Sequence, residues 1–213
     1  MNDFASKLFY SFVKNVFKLF FKIYNRLEVY GIDNIPRGMQ VIAAANHASY
    51  VDPPLIGGVF PGRLRFLAKE SLFRVPLLGF FIRSLGVIPV KREDGQKAGA
   101  VMKNLLALLD SGESVILFPE GTRSSDGRLK PLEAGVAYLS VKTGIPVLPI
   151  YIAGSFKVWP KGKKFPRPSK LSLRTAPPIY PDTALTGERE KREALLKSLQ
   201  TALSSMEAED NVH

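Results

Sequence analysis

Cysteine is the first absence in this chain, since none of its 213 residues is a cysteine. Disulfide bonds, thiolate nucleophiles and cysteine-ligated zinc or iron–sulfur sites are therefore excluded. Histidine is almost as scarce: there are only two, and one of them, His213, is the last residue. A histidine-rich metal site is excluded as well, and we expect neither a metal nor a cofactor. His47 is thus the one internal imidazole, a side-chain type whose charge ordinarily changes near neutral pH.

Long uncharged apolar runs are also missing, because none approaches the roughly twenty residues that a membrane-spanning helix needs. The N-terminus carries no small-residue cleavage site of the kind that ends a secretory signal. We therefore expect a protein that is neither exported nor threaded through a bilayer. Acidic residues are outnumbered, with 19 Asp and Glu against 30 Lys and Arg and a formal net charge of +11. This excess predicts a negative partner, which could be nucleic acid, an anionic membrane or phosphorylated substrates.

Residues 1–26 predict an amphipathic helix. Basic residues recur about every four positions and occupy an arc of about 120°; they are Lys7, Lys14, Lys18, Lys22 and Arg26. The remaining face is wide, apolar and rich in phenylalanine, and no acidic residue occurs between positions 4 and 27. A helix that only packs on the chain's own domain would have a narrower apolar stripe. The width of this face favours a helix that lies in the headgroup layer of an anionic membrane.

A second basic and aromatic stretch covers residues 156–170, where prolines and a glycine predict a loop. Its sequence, FKVWPKGKKFPRPSK, contains no acid and includes Trp159, the only tryptophan of the chain. A solvated loop or a surface for single-stranded nucleic acid could have this composition. Together with the amphipathic helix, it favours a membrane surface. We therefore predict peripheral attachment to the cytoplasmic face of the cell membrane.

Residues 27–213 alternate strand-like and helix-like segments, which predicts an α/β domain with a mostly parallel sheet flanked by helices. The predicted strands cover residues 27–32, 40–46, 63–68, 86–91, 114–118, 146–152 and 170–175. The predicted helices cover residues 53–60, 76–84, 96–111, 131–143 and 188–205. The acidic tail after Met206 is expected to fray.

Two polar segments follow predicted strands, which is where open α/β sheets bind their ligands. In NHASYVD, residues 46–52, a turn could bring the carboxylate of Asp52 to the ring of His47 and stabilise an imidazolium. Alternatively, Asp52 only caps the helix that starts at the following prolines. In PEGTRSSDGR, residues 119–128, Arg123 could bind a phosphate and Glu120 could accept a hydrogen bond from a substrate hydroxyl. Alternatively, this segment is only a turn whose charged side chains are solvated.

These segments resemble motifs of the glycerolipid acyltransferases, in particular the bacterial 1-acyl-glycerol-3-phosphate acyltransferases. The family's first motif, N-H-x-S-x-x-D, is matched by Asn46, His47, Ser49 and Asp52. Its third, F-P-E-G-T-R-S, is matched without a gap at residues 118–124. The second and fourth motifs resemble GVIPVKR at 86–92 and IPVLPI at 145–150. The resemblance covers residues 27 to about 176. It departs from the pattern at Lys91, where an aspartate is frequent, and at Glu133, where many members have lysine.

The resemblance implies a glycerol-3-phosphate acyltransferase-like fold and a role in phospholipid biosynthesis. The implied reaction moves a fatty acyl group from acyl-CoA or acyl carrier protein to the sn-2 hydroxyl of lysophosphatidic acid, giving phosphatidic acid. His47 would be the general base and Asp52 its orienting partner. The implied substrate-binding residues are Lys91, Arg92, Glu120, Gly121, Thr122 and Arg123; the supporting ones are Asn46 and Ser49. Backbone N–H groups near Gly121 could stabilise the oxyanion of the tetrahedral intermediate.

The residues themselves agree with this reaction, because His47 is the only base suited to neutral pH and no G-x-S-x-G nucleophile is present. Two alternatives stay open. A hydrolase with Ser49 as nucleophile would release free fatty acid through an acyl-enzyme, and a non-catalytic membrane-surface lipid binder would not need His47. Nucleic acid is not expected as a partner, because motifs that read or stack bases are missing.

Overall fold

The structure is a computed structural model that describes residues 3–74, 79, 82–83, 87–90 and 98–210. The side chains of residues 3–7, 69 and 98 are not part of that description. Most of the helix predicted at 76–84 lies outside the described residues. So do Lys91 and Arg92, two of the predicted substrate-binding residues.

The helices are α1 (Asp3–Tyr24), α2 (Asp52–Val59), α3 (Ala98–Asp110), α4 (Gly135–Thr143), α5 (Ser155–Val158) and α6 (Glu188–Asp210). The strands are β1 (Glu28–Tyr30), β2 (Ile42–Ala45), β3 (Leu64–Arg65), β4 (Leu67–Lys69), β5 (Ile88–Val90), β6 (Ser114–Leu117), β7 (Val147–Ala153) and β8 (Ser172–Thr175). Short 3-10 turns occupy Ile32–Asn34 and Glu70–Arg74.

Among the described residues, six strands form the main sheet in the order β1–β8–β7–β2–β6–β3, and every neighbouring pair is parallel except β7 with β8. Strands β4 and β5 form a separate parallel pair. The predicted α/β class with a mostly parallel sheet is confirmed. The single strand predicted at 63–68 is wrong, because the chain leaves the main sheet at Phe66, whose carbonyl accepts a hydrogen bond from the N–H of Ile88. Partner choice of this kind is not visible in local sequence.

The two central strands are buried on both faces, which explains their nearly continuous apolar sequences. Alternate residues of β2 face opposite cores. Ala43 and Ala45 pack in the core that includes Phe21 and Leu55 from α1 and α2. Ile42 and Ala44 pack in the core formed with residues of α3, α4 and α6. Helices therefore cover both faces of the sheet and leave the ends of its strands to carry polar groups.

Helix α1 packs on the domain along one edge and exposes a second apolar face. Val13 and Phe21 are buried. The two helices α1 and α2 pack closely at Gly58, where an added Cβ would lie only 3.3 Å from the backbone nitrogen of Lys18. The exposed apolar side chains are Leu8, Phe12, Val16, Leu19, Phe20 and Ile23. Packing and an exposed apolar face are therefore both present, on different sides of the helix. None of the described helices is at once long and apolar enough to cross a bilayer.

Helix α6 continues through Asp210, so the prediction that the chain frays after Met206 is wrong for residues 207–210. Met206 is buried. Glu207 accepts a hydrogen bond from the N–H of Leu129 at 3.2 Å, and Asp210 accepts one from the hydroxyl of Ser172 at 2.7 Å. Acidic composition alone suggested a free tail, but these tertiary contacts order it.

Helix α4 begins at Gly135, later than the predicted start at residue 131. The N–H of Lys130 donates to the side chain of Glu120, and the N–H of Glu133 donates to the carbonyl of Pro119. The residues before Gly135 are therefore part of the polar loop that follows β6 rather than of a helix.

Candidate active site

The two polar segments meet because β2 and β6 are adjacent and parallel. Their register pairs Ala44 with Leu117, so both strands end at the same edge of the sheet. Two hydrogen bonds join the segments beyond that edge. The N–H of Ser124 donates to the carbonyl of His47 at 2.7 Å, and the N–H of His47 donates to the Oε1 atom of Glu120 at 2.7 Å.

Asp52 holds the ring of His47 as the five-residue spacing predicts. The Nδ1 atom of His47 lies 2.8 Å from the Oδ2 atom of Asp52. The same oxygen accepts hydrogen bonds from the N–H groups of Ala48 and Ser49, at 2.8 and 2.7 Å. These donors stabilise a carboxylate that is fully buried. Because Val51 is the N-cap of α2, the alternative in which Asp52 only caps the helix is wrong.

The carboxylate of Asp52 contacts only one of the two ring nitrogens of His47. A hydrogen bond to a carboxylate places the ring N–H at Nδ1, which leaves Nε2 as an acceptor. The side chain is 18% exposed. Its ring stacks on that of Phe118 with centroids 4.0 Å apart and planes at 21°. Packing on one side and the carboxylate on another give the imidazole a fixed orientation with limited access from solvent.

Glu120 connects three backbone segments. Its Oε1 atom accepts the N–H of His47, and its Oε2 atom accepts the N–H of Lys130 at 3.1 Å. Burial raises the pKa of this carboxyl, while the two backbone donors act in the opposite direction. Sequence reasoning missed this role, because no sequence signal identifies which backbone groups a side chain will bind. The predicted contact between Glu120 and substrate stays a prediction.

The turn after β6 is held by its own backbone. Gly121 has a φ of 69°, in the left-handed region, and its missing side chain leaves room for the carboxylate of Glu133. The N–H of Gly121 donates to Phe118 and that of Thr122 donates to Glu120, both through carbonyl oxygens. The oxyanion contact predicted near Gly121 therefore finds no free donor at these two N–H groups.

Arg123 extends from this turn across the first segment. Its guanidinium carbon lies 3.7 Å from the centroid of the Tyr50 ring. Its Nη1 atom is buried and has no hydrogen-bond acceptor among the described residues. The structure thus brings Arg123, Glu120, Gly121 and Thr122 together with His47 at one end of the sheet, as predicted. Lys91 and Arg92, outside the described residues, stay predictions.

Asn46 and Ser49 have supporting positions. The side-chain amide of Asn46 pairs with both backbone groups of Ile152, donating at 2.9 Å and accepting at 2.7 Å, which fixes the end of β2 to β7. Ser49 is fully buried, and its hydroxyl donates to the carbonyl of Trp159 at 2.8 Å. A hydroxyl proton directed at a carbonyl is not directed at a base, so this geometry disfavours Ser49 as a nucleophile.

Metal ligation has no candidate in the part of the chain that the structure describes. No group of three or more His, Asp or Glu side chains there could hold an ion. The chemistry that the described site can perform is proton transfer at Nε2 of His47, close to a cationic guanidinium.

Comparison with known proteins gives consistent matches. A family model described as Acyltransferase matches residues 26–153, more than half of the chain. A 1-acyl-sn-glycerol-3-phosphate acyltransferase from Bacillus subtilis (strain 168) is 27% identical over 200 residues, which are 93% of this chain and 96% of the relative. The chloroplastic enzyme BAT2 from Brassica napus is 34% identical over 140 residues, 65% of this chain. The chain spans only about 40% of that plant relative's length.

A solved structure matches as well. It is the crystal structure of the 1-acyl-sn-glycerophosphate (LPA) acyltransferase PlsC from Thermotoga maritima. The TM-score is 0.74 at 32% sequence identity, and the match covers 95% of this chain and 80% of the other. The predicted fold is therefore confirmed over nearly the whole chain.

Proposed function

Because this chain belongs to the acyltransferase family, we propose that it transfers a fatty acyl group to the sn-2 hydroxyl of 1-acyl-glycerol-3-phosphate, forming phosphatidic acid. The donor is a thioester, acyl-CoA or acyl carrier protein. The observation that carries the proposal is the 2.8 Å contact between His47 and Asp52 at the edge where both polar segments meet. The relatives, which are acyltransferases for 1-acyl-sn-glycerol-3-phosphate, indicate the class of acceptor.

The proposed reaction needs one base and no covalent enzyme intermediate. The Nε2 atom of His47 takes the proton of the acceptor hydroxyl as its oxygen attacks the thioester carbonyl. The carboxylate of Asp52 stabilises the imidazolium that forms. Collapse of the tetrahedral intermediate breaks the carbon–sulfur bond, and the departing thiolate takes the proton back from His47. The products are an ester and a free thiol, so atoms and charges balance.

Arg123 is proposed to bind the phosphate of the acceptor. Its guanidinium has an N–H donor without an acceptor, Nη1, within the described structure. Phosphate oxygens match the planar donors of arginine. Lys91 and Arg92 are proposed to contribute to substrate binding, as the family resemblance implies.

We further propose that the protein is peripheral at the cytoplasmic face of the membrane, where its amphiphilic acceptor is found. The exposed apolar face of α1 includes Phe12 and Ile23, which are 66% and 71% exposed. Phe165 in the basic loop is 78% exposed. The hydroxyl of Tyr24 lies 3.5 Å from the carbonyl of Pro166, so the end of α1 and this loop adjoin. Apolar side chains beside lysines suit an anionic interface.

Replacing His47 with alanine tests the base. Loss of a positioned general base is expected to lower kcat by about 10²- to 10⁴-fold. The assay uses purified protein in detergent with acyl-CoA, acyl carrier protein donors and a panel of lysophospholipids, with products resolved by mass spectrometry. His213→Ala, at the only other histidine, is the matched control and should keep its activity. Near-normal transfer by His47→Ala would refute the base, and free fatty acid formed without acceptor would indicate a hydrolase.

Removing apolar groups from α1 tests the membrane surface separately. The double variant Phe12→Ser, Ile23→Ser is expected to bind vesicles containing anionic lipid at least about tenfold more weakly, because each side chain contributes about 1.5–3 kcal/mol when fully buried. Tyr180→Ser, at an exposed aromatic residue outside α1, is the control. Flotation of vesicles measures binding. Unchanged binding would refute the proposal that the exposed apolar face of α1 binds the membrane. Activity in detergent does not depend on vesicle binding and tests the catalytic proposal separately.

A further inference from the structure

The contact between Arg123 and Tyr50 involves a residue to which neither polar motif assigns a role. Tyr50 occupies an x position of N-H-x-S-x-x-D, where the motif specifies no residue type. Its ring centroid lies 3.7 Å from the guanidinium carbon of Arg123, which is close for a cation–π contact. The two segments that form the candidate site therefore also meet at this ring.

Stacking on the ring leaves the N–H donors of the guanidinium unoccupied. A guanidinium that lies on an aromatic ring uses its face, while its N–H donors point outward in the plane. One of these donors, at Nη1, is buried and has no acceptor among the described residues. An ion pair with a carboxylate would instead occupy the same donors that a phosphate needs. The ring of Tyr50 can thus orient Arg123 without competing with a ligand.

Tyr50 is itself held in place, although 42% of it is exposed. Its N–H donates to the carbonyl of Trp159 at 3.1 Å, and the hydroxyl of Ser49 donates to the same carbonyl. The rings of Tyr50 and Trp159 are 5.4 Å apart between centroids. The indole N–H of Trp159 donates to the carbonyl of Lys163, which fixes Trp159 in turn. These contacts give the Tyr50 ring a defined position beside Arg123.

We propose that Tyr50 determines the preference of this site for a phosphorylated acceptor by holding Arg123 in the orientation that binds the phosphate. This inference rests on the proposed function, in which Arg123 contacts that phosphate. Tyr50 is a positioning residue, because its effect passes through Arg123. Its loss should therefore alter binding of the phosphorylated acceptor and leave proton transfer at His47 unchanged.

The test compares Tyr50→Leu with Tyr50→Phe, which keeps the ring face and removes only the hydroxyl. Tyr50→Leu is expected to raise the KM for 1-acyl-glycerol-3-phosphate about five- to thirty-fold, from the usual range of cation–π contributions. The kcat and the KM for the thioester should stay within about twofold, and Tyr50→Phe should resemble the wild type. The rate with 1-acyl-glycerol, which lacks the phosphate, should not change.

A double-mutant cycle separates positioning from a general structural role. In an Arg123→Ala background, Tyr50→Leu should cause no further rise in KM, because the residue through which it acts is absent. An equal rise in both backgrounds would overturn the proposal, as would a fall in kcat without a change in KM. Tyr50→Met, a second flexible apolar replacement, provides the same comparison if the leucine variant lacks a folded melting transition.

Equilibrium binding distinguishes failure of this inference from failure of the proposed reaction. Trp159 is the only tryptophan and adjoins Tyr50, so its fluorescence can follow titration with 1-acyl-glycerol-3-phosphate in detergent without any donor. Weaker binding by Tyr50→Leu, with Tyr50→Phe unaffected, would support the positioning role even if no acyl transfer occurred. Equal affinity of the wild type for acceptors with and without phosphate would overturn it.

Discussion

Replacing Asp52 with asparagine removes the negative charge beside His47 and preserves the shape of the side chain. The Oδ2 atom of Asp52 accepts three hydrogen bonds, from Nδ1 of His47 and from the N–H groups of Ala48 and Ser49. An asparagine oxygen at that position can accept the same three. The reversed rotamer would set an NH₂ group against three donors and is therefore disfavoured. The variant should keep the local fold while losing the carboxylate charge.

The expected magnitude follows from the proton that His47 acquires. Hydrogen bonds to charged groups contribute about 1.5–3 kcal/mol, against about 1 kcal/mol for neutral ones. The charge of Asp52 is fully buried, so water screens it weakly. The difference between the two kinds of hydrogen bond is about 0.5–2 kcal/mol. Because screening of the buried charge is weak, we expect a loss in the upper part of this range, about 1.4–2 kcal/mol of imidazolium stabilisation in the transition state, which corresponds to a fall in kcat of about 10- to 30-fold.

The free energy of unfolding should change only modestly, so the variant should stay folded. Asparagine places an NH₂ group where Oδ1 has no partner among the described residues, and an unsatisfied buried donor costs about 1–3 kcal/mol. Removing the cost of burying a carboxylate offsets part of this loss. We therefore expect the unfolding free energy to change by no more than about 2 kcal/mol.

The assay measures kcat and both KM values for Asp52→Asn, with urea unfolding of the same preparation. Asp182→Asn is the matched control, because Asp182 also accepts a backbone hydrogen bond, from Ala184 at 2.8 Å, but is exposed. That variant should retain its kcat. A folded Asp52→Asn protein whose kcat stays within about threefold of the wild type would refute the role of the carboxylate.

Two further predictions concern stability. Burial raises the pKa of Glu120 in the folded protein, so with rising pH this carboxyl ionises in the unfolded chain before it ionises in the folded one. Its contribution to the unfolding free energy is therefore fully present below about pH 4.3 and is lost as the pH rises through the raised pKa. The unfolding free energy of the wild type minus that of Glu120→Gln, from urea titrations, should therefore fall with rising pH; an increase would contradict the assigned shift. Glu207→Ala removes the acceptor for the N–H of Leu129 and should lower the unfolding free energy by about 1–2 kcal/mol. The exposed, salt-bridged Glu193 is the control, whose replacement by alanine should cost less than about 0.5 kcal/mol.

The fold could be predicted wherever burial alone determines the sequence pattern. Strands β2 and β7 are covered on both faces and read as short apolar runs between turn residues. The separation of β3 from β4 could not be predicted, because it depends on which distant strand each one pairs with. The ordered end of α6 was missed for a related reason: Glu207 and Asp210 are polar residues stabilised by partners elsewhere in the chain.

In the candidate site, too, local contacts could be predicted from the sequence and contacts between distant segments could not. The contact of His47 with Asp52 could be predicted, since their spacing and the prolines after Asp52 favour a turn that returns the carboxylate to the ring. The link through Glu120 could not, because its partners are backbone N–H groups that every sequence contains. Tyr50 was missed because it lies in an unspecified motif position and acts on a residue more than seventy positions away.

A carboxylate at position 120 satisfies a geometric requirement that other side chains do not meet. Two N–H groups, from His47 and Lys130, approach it from separate segments, and each binds a different oxygen. Glutamine has only one acceptor oxygen, and aspartate is one methylene shorter. Because the Nζ atom of Lys130 also donates to the carbonyl of Arg123, at 3.1 Å, the same small network holds the backbone of both the base and the proposed phosphate ligand. A change in the loop after β6 can therefore alter the position of His47 without touching its side chain.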